Sequence, residues 1–385
     1  MNYDALKIAR LMIAGMVFLA LFSVQGMDER QIQSAFLTVL VMATFATFLR
    51  NMWLTLFLWW TMYLYIVFRF TGTIYFFNIF FGCLLYFLTK VSYKKEHIDH
   101  FIKIIIIFAC CNIGFMLLQF LDLDFYYYLN VVSATGEHRT LNNSSYLAGF
   151  MGLHAGMGIL MALTIPLVAT RKPKWAIWAS LLLFLPLYVS KSSIALIAGC
   201  VAFLFVLFFR IKRIYWAGLV LVGILAASLY IVKFDMPGGG LRGVEGRLKQ
   251  WKVVMRDATR RPLRGHGLDS FRNHTKASPE KYCETIEKTE KGWHVTVWDN
   301  PHNLLVSLFF EFGIIAWLLL GGYLRDYFKA FVRASKDKNT IATTGFLLVF
   351  FIVSAAQFPM FLACLAVFII PMFALAEKQI GLYSA

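Results

Sequence analysis

Charge is scarce in this chain. Only 15% of its 385 residues are Asp, Glu, Lys or Arg, against about 25% in an ordinary soluble domain, which excludes a free-standing water-soluble fold. Long polar sequence is confined to one place, residues 233–303, the only long stretch with no apolar run of membrane length. Cysteine is sparse as well. Cys83, Cys110, Cys111, Cys200 and Cys364 fall inside apolar runs and Cys283 stands alone in the polar stretch, so no disulfide framework can be built. H-E-x-x-H, P-loop and G-x-S-x-G elements are missing. His266, His274 and His294 are too irregularly spaced to argue zinc. There is no internal repeat and no low-complexity tract.

What is there instead is hydrocarbon. The composition is 59% hydrophobic and the mean hydropathy is +0.67. Solid apolar runs of about 17 to 22 residues recur along the whole length, each able to cross a core of roughly 30 Å as a helix. A barrel would alternate apolar and polar residues. The expected fold is therefore an all-α integral membrane protein of about 12 transmembrane helices. They are placed at 9–25, 33–49, 52–68, 72–89, 101–120, 146–168, 175–190, 192–209, 214–232, 303–322, 341–356 and 359–376. Lys7 and Arg10 precede the first run, but no A-x-A-like site follows it, so it reads as a retained helix. The last two helices, separated by Gln357-Phe358-Pro359, are either two spans or a re-entrant hairpin.

Orientation follows from Lys and Arg in the short connections. With the N-terminus cytoplasmic, the inward-facing segments hold nineteen, among them Arg50, Lys90, Arg171, Arg213, Arg325, Lys338 and Lys378. The short loops opposite hold four: Arg30, Arg69, Arg139 and Lys191. Both termini are thus expected inside and residues 233–303 outside. The organisation is helices 1–9 over 1–232, an external loop domain over 233–302 that contains short helices, and helices 10–12 over 303–385. Nucleic acid is then no partner for the net charge of +16.

Within the external loop, residues 233–276 carry 11 basic and 4 acidic side chains. A long translocated loop is insensitive to the charge rule, so this excess points to an anionic ligand or anionic lipid headgroups. Leu248, Trp251, Met255 and Ala258 recur at helical spacing and predict an amphipathic helix over 245–259, with Arg247, Gln250 and Arg256 on or beside its wetter side. A weaker helix is predicted over 279–291. Gly238–Gly240 and Gly265-His266-Gly267 read as flanking turns.

Three candidates for chemistry stand out. Pro301 suits the first position of a helix capped by Asn300 or Asp299. That places His302 in the first turn of an outward-opening span, where the positive helix end favours the neutral imidazole a general base needs. The bland alternative is a His that caps backbone groups. Lys191, in LPLYVSKSSIAL, interrupts two apolar runs at the external boundary; it is either functional or a snorkelling lysine in a tight turn. Arg247, Arg256, Arg260, Arg261, Arg264 and Arg272 form a basic set whose guanidinium groups match phosphate oxygens, although each alone suits a solvated face. Asp122 and Asp124 form a weaker D-x-D pair, more simply read as boundary residues.

GRLKQWKVVMRDATRRPLRGHGLDSF followed by DNPHNLLVSLFFEFGIIA resembles the signature of bacterial O-antigen ligases and their Wzy-type polymerase relatives: R-x-x-x-W, P-x-x-G-x-G, then H-N-x7-E-x-G. Here these are Arg247 and Trp251; Pro262, Gly265 and Gly267; His302, Asn303, Glu311 and Gly313. The resemblance implies glycosyl transfer at the outer face of a bacterial inner membrane, inverting, without metal or other cofactor. The donor would be a polysaccharide on undecaprenyl diphosphate and the acceptor a hydroxyl of lipid A-core, with membrane lipids around both. By position, His302 resembles the base and Arg247 a donor-diphosphate ligand, with Arg256, Arg261 and Arg264 as further donors to the diphosphate. Lys191 falls where many members carry Arg, keeping the charge and losing the bidentate fork. The helix count and the single large loop favour the ligase branch over the polymerase. A flippase for lipid-linked oligosaccharide would instead line a path through the bundle with charge.

Overall fold

The computed structural model describes residues 52–67, 73–92, 97–120, 154–171, 176–190, 192–210, 240–278, 283–289, 292–297, 301–335, 337–355 and 363–382. The helices expected at 9–25, 33–49 and 214–232, the pair Asp122 and Asp124, and Lys191 lie outside the described residues. Twelve helices and one hairpin are found among the described residues: α1 (Met52–Val67), α2 (Thr73–Ser92), α3 (Ile98–Phe120), α4 (His154–Ala169), α5 (Ala176–Leu182), α6 (Phe184–Val189), α7 (Ser193–Arg210), α8 (Gly240–Ala258), α9 (Ser270–Ala277), β1 (Cys283–Thr289), β2 (Gly292–Val297), α10 (Leu304–Ala334), α11 (Lys338–Ser354) and α12 (Ala363–Gln379). Two of these, α3 and α10, are long and apolar enough to cross a membrane, and shorter apolar helices occur at 156–169, 176–189, 193–209 and 338–354.

Several expected boundaries shift. The single helix predicted over 175–190 is two, α5 and α6, separated at Leu183. α10 runs on to Ala334, because Leu324 to Ala334 continues the helix as an amphipathic extension beyond the apolar run that composition marks. The predicted helix over 279–291 is not formed. In its place β1 pairs antiparallel with β2, from Cys283 opposite Val297 to Thr289 opposite Gly292. Thr285, Ile286, Thr289, Val295, Thr296 and Val297 are β-branched, and that local stiffness prevails over a charge pattern that suited a helix.

The chain forms two compact units. The first takes Met1–Leu88, Val244–Ala330 and Gly381–Ala385; the second takes Thr89–Gly243 and Phe331–Ile380. In the second, α4 is the axle. It is apolar all round, its residues from Gly156 to Leu167 are buried, and it packs on α3, α5, α6, α7 and α11. One end of this unit is polar. Arg171 pairs with Asp99 and donates to Asn339 at 3.0 Å, Lys90 pairs with the buried Glu377 at 2.9 Å, and Gln379 donates to Asp337. These are the starts of α3 and α11 and the ends of α2, α4 and α12, the same ends that the Lys and Arg count assigns to one side.

In the first unit, α1 runs antiparallel to α10. Trp53 donates to Asp326 at 2.7 Å near one end, and Trp60 donates to the carbonyl of Phe312 at 2.7 Å farther along. Arg325 lies 5.9 Å from the Trp53 ring centroid.

Candidate functional site

The motifs of the polar stretch meet along the first half of α10, and they meet mainly through backbone. At Gly313 the helix breaks, with φ 74° and ψ −172°. The break frees backbone groups that a regular helix would use internally. Residues 262–267 take them up: His266 N–H donates to the Phe310 carbonyl at 2.8 Å, Gly267 N–H to the Glu311 carbonyl at 3.0 Å, and Ile314 N–H to the Pro262 carbonyl at 2.8 Å. Trp60 takes the Phe312 carbonyl. Contact this close leaves no room for a side chain. A Cβ on Gly265, itself at φ 68°, would sit 2.5 Å from the Glu311 carbonyl, and one on Gly313 would overlap the Leu263 carbonyl. P-x-x-G-x-G and E-x-G are therefore two halves of one main-chain clamp.

Helix α8 lies alongside. Val254 and Ala258 pack with Phe271 of α9 and with Val306, Phe309 and Phe310 of α10, flanked by Trp251, Val253, Met255 and Ile314. Burying each large side chain of such a cluster contributes about 1.5–3 kcal/mol. The buried face of α8 is rotated from the one that periodicity suggested. Leu248 is 54% exposed while Gln250 and Asp257 are each 1% exposed. Gln250, Val254, Asp257 and Ala258 make the inner stripe, with Arg247 and Trp251 half-buried at its edge. The correction has a physical cause: this helix buries polar groups that have partners, among them Asp257, whose carbonyl meets His266 Nε2 at 3.0 Å and whose carboxylate lies 3.7 Å from Arg260. A count of apolar residues cannot see that.

The middle of α8 is tied by Trp251, whose indole N–H donates to the Pro301 carbonyl at 2.7 Å. This fixes the backbone immediately before His302. His302 itself is exposed and has φ 47°, a left-handed conformation that costs a non-glycine residue about 1–2 kcal/mol. It stands just outside the helix, a correction to the expected place in the first turn. The cap is Asn303, whose Oδ1 accepts from Leu305 N–H at 2.9 Å and Val306 N–H at 3.1 Å, and α10 begins at Leu304. Pro301 is buried and extends the chain into that cap.

The candidate residues thus divide. Arg247 is one turn before Trp251 on the same side of α8, and so belongs to the His302 end. Arg261 and Arg264 are exposed in the turn after α8 that feeds the clamp. Arg256 is exposed, and its spacing from Arg247 puts it on the opposite face of α8. Lys191 lies outside the described residues; its neighbours Ser190 and Ser192 are buried, and Ser190 Oγ donates to the Leu187 carbonyl at 2.6 Å. Sequence reasoning missed His266 as a structural residue. Its ring stacks on Phe310 at 4.5 Å and meets the His274 ring edge-on at 4.7 Å. Burial pushes its imidazole below the ordinary histidine value; the hydrogen bond to the Asp257 carbonyl opposes the shift, and His274 and Arg261 add to it.

Two comparisons bear on this arrangement. No curated protein matches the chain. The family model described as O-antigen ligase matches residues 176–321, a span that begins with α5, contains Lys191, Arg247, Arg256, Arg261, Arg264 and His302, and ends within α10. Over that stretch, which holds both the clamp and the Trp251–Pro301 tie, the chain is similar to the O-antigen ligase family.

Proposed function

We propose that this protein is an O-antigen ligase, transferring polysaccharide from undecaprenyl diphosphate to a hydroxyl of lipid A-core with inversion, at the outer face of a bacterial inner membrane. The observation that carries the reading is the Trp251–Pro301 bond, which fixes the backbone before the exposed, strained His302 to the part of α8 where Arg247 lies one turn before Trp251. Strain of this kind persists where the surroundings over-determine it, and it clusters at sites that work.

In this mechanism the acceptor hydroxyl gives its proton to the neutral imidazole of His302 as its oxygen attacks the anomeric carbon. The bond from that carbon to the diphosphate oxygen breaks on the opposite face, and the electron pair leaves with the diphosphate. Negative charge then grows on the leaving oxygens, where a fixed cation stabilises the transition state more than the ground state. Arg247 is assigned that role, with Lys191 as a second cation. Arg261 and Arg264 form a separate set at the clamp end. Arg256 faces away and is withdrawn from the diphosphate set. Helices 1–9 and 10–12 frame the 233–302 loop domain, with both termini cytoplasmic. The convergence of polar helix ends in the second unit supports that orientation.

The test is complementation of a ligase-deficient strain with His302→Ala, Arg247→Ala and Lys191→Ala, scored by polymer-modified lipopolysaccharide on a gel. The first two variants should abolish the polymer ladder at normal expression. A normal ladder from either sinks the mechanism. Wild-type rescue of a polymerase-deficient strain, with none of the ligase-deficient one, would assign the chain to the polymerase branch instead.

A further inference from the structure

The outward face of α8 carries a feature that the glycosyl transfer does not use. Lys249, Lys252 and Arg256 are all exposed and follow at i, i+3 and i+7, so they form one stripe on the side opposite Gln250, Val254 and Ala258. No carboxylate among the described residues forms an ion pair with any of the three. Beside them lies Leu248, 54% exposed. The three cations and the exposed leucine thus share one side of α8, a combination that suits a surface both anionic and apolar.

The level of the stripe identifies that partner. Trp251, next to Lys252, is bonded to Pro301, just before the first residue of α10. α10 is one of the helices long and apolar enough to cross a membrane, and α8 packs along its beginning through Val254, Ala258, Val306 and Phe309. The stripe is therefore held where a span leaves the hydrocarbon, at the depth of the phosphate headgroups. We propose that Lys249, Lys252 and Arg256 bind the headgroups of anionic phospholipids in the bilayer, with Leu248 inserted at the acyl boundary. Cations at this level are attracted to anionic lipid, and an exposed leucine finds apolar contact there. A free phosphate would satisfy the cations and leave Leu248 in water. This inference needs only that the chain spans the membrane, and it stands or falls apart from the ligase reading.

The test uses the full chain in nanodiscs, with Leu248 replaced by a fluorescent unnatural amino acid. Quenching is measured with phosphatidylglycerol or phosphatidylcholine carrying a nitroxide near the glycerol backbone. At about fivefold per cation near an anionic surface, phosphatidylglycerol should be preferred locally by at least about tenfold. The variant Lys249→Gln/Lys252→Gln/Arg256→Gln should lose that preference, as should the wild type in high salt. Exposed positions make misfolding a small risk, and a Lys249→Arg/Lys252→Arg variant should retain the preference. Equal quenching by both lipids in the wild type, or a preference unchanged in the triple variant, overturns the proposal. So does loss of the preference on adding pyrophosphate when sodium chloride of equal ionic strength leaves it intact, since the stripe would then be a site for soluble oligophosphate.

Discussion

Two regions of this molecule hold several helices in register with opposite materials. At the α10 break, the joint is chiefly backbone to backbone: three main-chain hydrogen bonds and two glycines. At the polar end of the second unit the joint is side chain to side chain, through Lys90–Glu377, Arg171–Asp99, Arg171–Asn339 and Gln379–Asp337. The first kind fails when an atom is added; the second fails when a charge is removed. That difference sets what each region tolerates, and it can be broken experimentally.

The largest expected effect lies at the strained turn before α10. His302→Ala should lower transfer by two to four orders of magnitude, the range of a lost general base, with little change in unfolding temperature because the ring is exposed. His302→Gly sharpens the point: it should be equally inactive yet as stable as wild type or slightly more so, since glycine accepts φ 47° without cost. A variant that regained activity there would reduce His302 to a structural residue.

Next comes the clamp. Gly313→Ala should cost about 3 kcal/mol or more, from the left-handed backbone and the displaced hydrogen bonds. Gly321→Ala in the same helix, where a Cβ meets nothing within 4 Å, should be close to neutral. Thermal unfolding in detergent distinguishes them, and equal losses would mean that the close approach is not what selects glycine. In the second unit, Lys90→Met leaves Glu377 charged and 1% exposed, so a loss of about 3 kcal/mol is expected, largely restored by adding Glu377→Met. Removing both halves of a backbone clamp has no such rescue.

Smaller is the pH effect at His266. Its folded imidazole titrates below the unfolded value of about 6.5, so the folded state binds fewer protons there. Stability is then full above that value and is lost as pH falls through the lower folded value. Thermal stability should decline as the pH falls below about 6.5, less steeply in His266→Gln; identical slopes would remove His266 as the cause. The smallest change is expected at Asp99→Asn. Its partner Arg171 is partly exposed, and such pairs contribute about 1 kcal/mol or less.

The apolar runs announced most of the described helices to within a few residues, because membrane-length hydrophobicity is a property of composition alone. The three motifs were legible too, in order and spacing. Their relation was not. Residues 262–267 and 310–314 join through carbonyls and N–H groups that every residue possesses, so only the glycines left a trace. Gln250 and Asp257 hid the true inner face of α8, since a buried polar residue with a partner looks like a surface residue in sequence. Asn303 caps α10 in place of the expected Asp299 or Asn300 because the chain turns left-handed at His302, a turn that no residue preference foretold.

The distance between H-N and E-x-G in this chain is a phase as well as a length. From the cap at Asn303 to the notch at Gly313, which receives residues 262–267, is about three helical turns, and α8 is tied to both ends of that stretch. A single inserted residue between them would rotate one against the other by roughly 100°, and α8, anchored at both Pro301 and the notch, could follow neither. The spacer works as a ruler. Its sequence is free to drift among apolar residues while its length is not.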